Sequence, residues 1–439
     1  MRENRVPGVA IALLESGKVV HLKGFGAADR LGRKVTPQIP FQIASVTKSF
    51  TSLIVLQLER EGKLRLNDSV TKYIPWFETS KLKQASKITI RNLLQHNSGL
   101  STFAGNQTQN SVYRGADATQ LAVKKLVGTK LVNEPGEGFN YSNANYHLAT
   151  HLIELLESKP FEQVISERVL MPLEMKNSYV QIPVAESQEE AIGFPHWFGF
   201  PLERKFILGR MKMGDGGLSA SAEDMAAYVA AVSETSARVI SPEMKRKLLN
   251  PEFNNASYAL GWEIWRLDGD DLFEHSGSNG GFASSIGFIE PSPEKNGIGF
   301  VILSNASSAL YGDFVPNLRR VILDKDPLHA EPNTINLASL IVLYSGILVL
   351  VFFLYRAIFR QGAKTFRLRL LIAPTALLAF SYLNAFAIPL MNKISLLGIY
   401  PFFPDLAVGL IGNATLAFLL ALMKMAHLIG LYKENEAEK

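Results

Sequence analysis

The chain has 439 residues, 47% of them apolar and 19% charged, with a formal net charge of +5 and no cysteine. That length exceeds one compact domain of ordinary size, so two or more units are expected. The charge is too small for its length to argue for a nucleic-acid partner, and the lack of cysteine excludes disulfides and thiolate metal sites.

Residues 8–14 and 18–28 read as strands joined by a hairpin turn at Glu15-Ser16-Gly17. A polar loop, 29–40, leads into Phe41-Gln42-Ile43-Ala44-Ser45-Val46-Thr47-Lys48. Val46, Phe50, Leu53, Ile54 and Leu58 recur at helical spacing, which predicts a helix over 46–61 ended by Gly62, with Ser45 at its N-cap. Residues 88–94 lead to the turn His96-Asn97-Ser98-Gly99-Leu100, and 101–116 is polar and irregular. Helices follow at 118–127, 145–157 and 161–169, then a loop-rich stretch at 181–213 and a short helix at 222–232. Strand signals return at 258–267, 271–275, 283–290 and 297–305, with a closing helix at 314–323. Strands at both ends and helices between them predict an α/β (α+β) fold. One antiparallel sheet is built from both ends of the region, flanked by helices, with an inserted helical lobe.

The predicted organisation is this domain over 1–329, a linker at 330–336 and a membrane domain over 337–439. Residues 337–355, 370–391 and 406–423 carry no charge, and each is about long enough to cross a hydrocarbon core of roughly 30 Å. Arg356, Arg360, Lys364, Arg367 and Arg369 fill the first connection, so the positive-inside rule puts it in the cytoplasm and residues 1–336 outside, a multi-pass protein of the cytoplasmic membrane. Met1-Arg2-Glu3-Asn4-Arg5 runs straight into a strand with no secretory signal, so the expectation is a start downstream of a lost leader.

Ser45 and Lys48 lie three apart on one side of a first helical turn, over the positive end of the helix dipole. An ammonium and that dipole favour an alkoxide-like nucleophile. The same Ser-x-x-Lys spacing recurs at Ser69/Lys72, Ser80/Lys83 and Ser292/Lys295, and a Ser before an apolar helix is most often a cap, so partners elsewhere decide. Tyr141 and Asn143 stand two apart on the tight loop 134–143. Tyr141 can act as a base where nearby cations lower its pKa. Asn143 suits an amide substrate or Lys48. In His275-Ser276-Gly277-Ser278, the Ser278 N–H can complete an oxyanion hole with that of Ser45, and Gly277 lets a substrate approach the strand. His147 and His151, four apart on a helix, have no evident third ligand and read as a helix face, so no metal or other cofactor is expected.

In order, these pieces resemble the serine β-lactamase and penicillin-binding-protein superfamily, with the closest likeness to its class C branch of β-lactamases, D-alanyl-D-alanine carboxypeptidases and esterases. The likeness covers about residues 6–325. It includes Val6-Pro7-Gly8-Val9-Ala10, Ile90 to Leu100, Pro172-Leu173-Glu174-Met175, Gly217-Leu218-Ser219 and Ser304-Asn305. The resemblance implies that Ser45 is acylated, that Lys48 helps deprotonate it, that Tyr141 is the general base and that Asn143 holds substrate. His275 takes the place of the Lys usual in β-lactamases, which gives less fixed positive charge at neutral pH. The expected function is a membrane-anchored serine hydrolase acting through an acyl-enzyme on small-molecule or peptide esters or amides, cell-wall D-amino-acid peptides among them. The alternative is a wall-fragment sensor that binds without turnover.

Overall fold

The computed structural model describes residues 1, 5–81, 83–108, 111–180, 190–197, 200–235, 238–251, 257–291, 296–307, 314–327, 341, 343–351, 367–387 and 404–437. The chain divides into two compact units, Met1–Ala330 and Glu331–Lys439.

The first unit is built on a six-stranded sheet in the order β2-β1-β11-β10-β9-β8, every neighbouring pair antiparallel. Strands β1 (Gly8–Glu15) and β2 (Lys18–Gly26) come from the start of the chain. Strands β8 (Glu263–Leu267), β9 (Asp270–Asn279), β10 (Phe282–Ile289) and β11 (Ile298–Ser304) come from the far end of the unit. The expected hairpin turn is there: Ser16 and Gly17 both take left-handed φ values, 45° and 72°, which match the twist of the strands they join. Along β1 the side chains alternate between two cores. Ala10, Ala12 and Leu14 join the main core, while Val9, Ile11 and Leu13 face the cluster that holds Val315 of helix α10 (Phe314–Ile322).

Helix α1 (Thr47–Arg60) runs through the main core, and Thr47 to Leu58 are all buried. A helix enclosed on every side must satisfy its polar side chains internally. Thr51 donates to the Gly214 carbonyl at 2.7 Å, Ser52 meets the Tyr146 hydroxyl at 3.1 Å, and Ser49 accepts from Tyr228 at 3.0 Å. The inserted lobe holds α2 (Ile90–Leu94), α3 (Thr102–Asn106), α4 (Ala118–Lys124), α5 (Asn143–Glu157), α6 (Phe161–Ile165) and α7 (Met213–Gly216). It has a small core of its own around Val70, Ile74, Phe77, Leu93 and Leu148. Helices α8 (Ala222–Ser233) and α9 (Pro242–Leu249) follow.

Some expectations shift. The strand expected over 258–267 begins only at Glu263, because the chain turns at Gly261, φ +76°, where a Cβ would lie 2.8 Å from the Lys48 carbonyl. Helix α9 was not anticipated. Part of the loop-rich stretch, 181–189, lies outside the described residues.

In the second unit, the helix Pro404–Ala437 contains the one segment, Asp405–Ala426, that is long and apolar enough among the described residues to cross a membrane. The three expected spans are therefore reduced to one candidate. The helix Arg367–Tyr382 carries Pro374 internally and runs on into a π-helical turn, Leu383–Ala387. Of the expected spans, residues 337–340, 342, 352–355 and 388–391 lie outside the described residues.

Candidate active site

Strand β3 (Phe41–Gln42) pairs with β7 (Leu218–Ala220), and the Ile43 N–H donates to Leu218 at 3.0 Å. The chain then enters a 3₁₀ turn, Ala44–Val46, that runs on into α1. Ala44 has φ +47°, a left-handed conformation costly for a residue with a Cβ. Its neighbours hold it there: Ser284 donates to the Ile43 carbonyl at 2.8 Å, and Thr47 to the Ala44 carbonyl at 2.7 Å. Ser45 is thus inside the turn rather than at an N-cap. Its hydroxyl is free of capping duty and faces Lys48.

Lys48 is fully buried. Its Nζ donates to Ser45 Oγ at 3.0 Å and to the Asp215 carbonyl at 2.7 Å, and lies 5.1 Å from the centre of the Tyr141 ring. Burial penalises the ammonium and brings its pKa down to about 8, although the Asp215 carboxylate pulls the other way. A lysine at that value is neutral in roughly one molecule in ten at pH 7.

Tyr141 shares a side-chain hydrogen bond with Ser45. Its pKa nonetheless rises, because burial outweighs that bond and the Asp215 and Glu263 carboxylates add to the rise. The expectation of a phenol made acidic by cations is corrected: desolvation wins, and Tyr141 rests protonated. Asn143 begins α5 with Nδ2 3.4 Å from Asn106 Oδ1, and its Oδ1 is buried without a hydrogen-bond partner among the described residues. It does not hold Lys48, whose bonds go to Ser45 and Asp215.

Strand β8 covers β9 only as far as Glu274, so His275 to Asn279 is left as an edge on that side. Gly277 is required by closeness: a Cβ there would lie 2.2 Å from the Ile43 carbonyl, 2.5 Å from Ser284 Oγ and 3.1 Å from the Ser45 nitrogen. Ser278 follows, exposed, opposite Ala283 of β10. His275 is buried, and both ring nitrogens are engaged. Nδ1 donates to the Ser276 carbonyl at 2.7 Å, so Nε2 accepts from the Tyr258 hydroxyl at 2.9 Å. Burial, and then the Lys48 charge, hold its pKa down at about 3. The expected partial substitute for a lysine charge is thus a neutral post with no spare N–H.

A β-lactamase family profile matches residues 1–320. The chain belongs to the β-lactamase family. It is 28% identical to protein flp of Staphylococcus aureus (strain MW2) over 376 residues, 81% of this chain and 72% of that one. It is 28% identical to the teichoic acid D-alanine hydrolase of Staphylococcus aureus over 252 residues, 57% of this chain and 59% of that one. The octameric penicillin-binding protein homologue from Pyrococcus abyssi superposes with a TM-score of 0.63 at 29% identity, covering 76% of this chain and 77% of that one.

As a member of the β-lactamase family the protein is a serine hydrolase. Sequence reasoning missed two residues of its site. Asp215 holds Lys48 through its backbone carbonyl, which no side-chain motif encodes. Its carboxylate is buried 3.7 Å from His147 Nε2. Burial alone would raise the Asp215 pKa, yet His147, Lys212 and Lys48 together lower it. Tyr258, which fixes His275, was hidden in a stretch read as plain strand. His147 and His151 instead meet Thr108 and Thr119, each at 3.2 Å.

Proposed function

We propose that this protein is a membrane-anchored hydrolase that forms an acyl-enzyme at Ser45 and cleaves esters or amides of D-amino acids such as those of cell-wall polymers. The reading is carried by one observation, the 3.0 Å contact between Lys48 Nζ and Ser45 Oγ inside a buried site. Protonated, Lys48 donates to Ser45; neutral, it accepts the Ser45 proton across the same distance. The freed Oγ attacks the substrate carbonyl carbon, and the oxyanion is received by the backbone N–H groups of Ser45 and Ser278. As the bond to the leaving group breaks, Tyr141 gives its phenolic proton to the departing alkoxide or amine and takes one from the Lys48 ammonium. A phenol that rests protonated suits that role. Water then attacks the acyl-enzyme, its proton passing through Tyr141 to Lys48 and back to Ser45.

Asn143 Oδ1, buried and unpartnered, is the acceptor for a substrate N–H, and Gly277 and Ser278 offer the β9 edge to the acyl chain. The neutral His275 leaves no fixed cation at the place of the usual lysine, which favours substrates without an anchoring carboxylate. Similarity to a teichoic acid D-alanine hydrolase supports D-alanyl esters as the first class to try. The helix segment Asp405–Ala426 serves as the anchor.

The test is turnover of D- and L-alanyl esters, D-alanyl peptides and β-lactams by the full chain, with mass spectrometry of the trapped enzyme. The expected result is an acyl adduct on Ser45 and a preference for D-alanyl esters. Undiminished turnover by Ser45→Ala would falsify the mechanism.

A further inference from the structure

His96 ends helix α2 in a costly way. Its N–H bonds to Leu93 at 3.2 Å and the Asn97 N–H to Asn92 at 3.0 Å, which is the double closure of a Schellman motif. The position between them takes a left-handed backbone and is usually glycine, yet it holds His96 at φ +56°. A strained non-glycine residue beside a reactive site implies that its side chain is needed there.

The contacts of that side chain converge on one neighbour. The Asn140 N–H donates to the His96 carbonyl at 2.8 Å, and the Ser142 N–H donates to His96 Nδ1 at 3.1 Å. The residues on both sides of Tyr141 are therefore tied to His96. The His96 ring lies 4.2 Å from the Tyr141 ring at 35°, with Tyr146 and Tyr258 closing around it at 5.3 and 4.9 Å. Asn145 Oδ1 accepts from Ser98, so its Nδ2 is the donor that reaches His96 Nδ1 at 2.9 Å. Two N–H donors on Nδ1 place the proton on Nε2, which is buried and makes no hydrogen bond among the described residues. Burial, then the Lys48 charge, holds the ring neutral, as its acceptor role requires.

We propose that His96 is the positioning residue for Tyr141, holding the phenol at Ser45 by clamping the peptide on either side of it and supporting its ring. The inference rests on the proposed role of Tyr141 in proton transfer. It assigns no contact with substrate to His96.

The test uses the full chain and the rate of Ser45 labelling by the acyl group of a D-alanyl amide, whose departing amine must take up a proton, with steady-state turnover and thermal melts alongside. His96→Gly relieves the backbone strain while removing the acceptor and the ring. A purely structural role predicts unchanged labelling in a protein that melts earlier, because a buried ring and a hydrogen-bond acceptor are lost. Positioning predicts labelling slowed by about 10- to 100-fold, with kcat rather than KM affected, since small misplacements near the chemistry cost that much. In a Tyr141→Phe background the same change should have no further effect. His96→Asn restores an acceptor at the Nδ1 position and tolerates positive φ, so it should recover most of the loss. Equal losses in both backgrounds, or no recovery in a natively melting His96→Asn, would overturn the inference. If Tyr141→Phe labels at the parental rate, the proposed role of Tyr141 fails instead. If it labels slowly while His96→Gly labels normally, the role of Tyr141 stands and that of His96 falls.

Discussion

Lys48 Nζ donates to the Ser45 hydroxyl at 3.0 Å and to the Asp215 carbonyl at 2.7 Å, so one buried ammonium ties the proposed nucleophile to helix α7. In the proposed mechanism acylation needs that amine neutral, so its lowered pKa of about 8 should set the acid limb of activity. The labelling rate should rise about tenfold per pH unit below 8 and level off above it. Tyr141 lies above its usual value of 10.0 and imposes no earlier alkaline limit. Lys48→Arg places a cation that stays charged at every accessible pH, so it should lose at least ~10³-fold with no recovery in alkali. A midpoint near pH 5, or an active Lys48→Arg, contradicts a lysine base.

The closeness of β9 to the nucleophile makes Gly277 a second point of test. A Cβ at 2.2 Å from the Ile43 carbonyl must push apart the strand and the turn that carries Ser45. Gly277→Ala should cost about 1–3 kcal/mol of stability by overpacking. Acylation should fall further, by ~10²-fold, because the displaced atoms are those around the reacting carbonyl. Denaturant melts and labelling rates measured together separate the two effects. A variant that loses stability but labels normally would show that β9 does not frame the substrate.

Much of this was legible in the chain because local signals agreed. Glu15-Ser16-Gly17 set the first hairpin, and Ser45-Val46-Thr47-Lys48 put a hydroxyl and an amine one turn apart. The harder features depend on tertiary contact. Asp215 acts through a carbonyl, and the turn at Gly261 is imposed by packing against α1. Burial decided the charge states of Tyr141 and His275, and distances along a sequence do not report burial. Helix α9 did carry a readable signal: Ser241 caps it through the Met244 N–H at 3.2 Å and Pro242 opens it. In the tail, charge-free length predicts three spans, whereas among the described residues one segment, Asp405–Ala426, is long and apolar enough to cross a membrane.

The segment Asp405–Ala426 has a mean hydropathy of 2.1. Leu419 and Leu422 lie on its exposed side at 44% and 42%. Arginine costs about 2.5–3.5 kcal/mol of insertion at a helix centre and less toward its ends, so the pair should cost at most about 5–7 kcal/mol. The parent chain should sediment with membranes through high salt and dissolve in detergent, whereas Leu419→Arg/Leu422→Arg should move to the soluble fraction with its Ser45 labelling intact. Membrane retention by the double variant would assign anchoring to another part of the tail.

Asp215 allows the electrostatics to be tested apart from the geometry. Asp215→Asn keeps the backbone carbonyl that accepts from Lys48 but removes the carboxylate, whose charge raises the Lys48 pKa. The acid limb of labelling should therefore move below pH 8, with faster reaction at pH 6 than in the parent. Stability at neutral pH should move the opposite way, because the buried Lys212 and Lys48 lose the carboxylate whose charge favours their ammonium forms. The Asp215 pKa is lowered in the folded protein, so its contribution is present above the unfolded value of 3.8 and is lost as pH falls through the folded one. The stability gap between parent and Asp215→Asn should then narrow only in strong acid. An acid limb that stays at pH 8 in Asp215→Asn would mean that burial alone sets the basicity of Lys48.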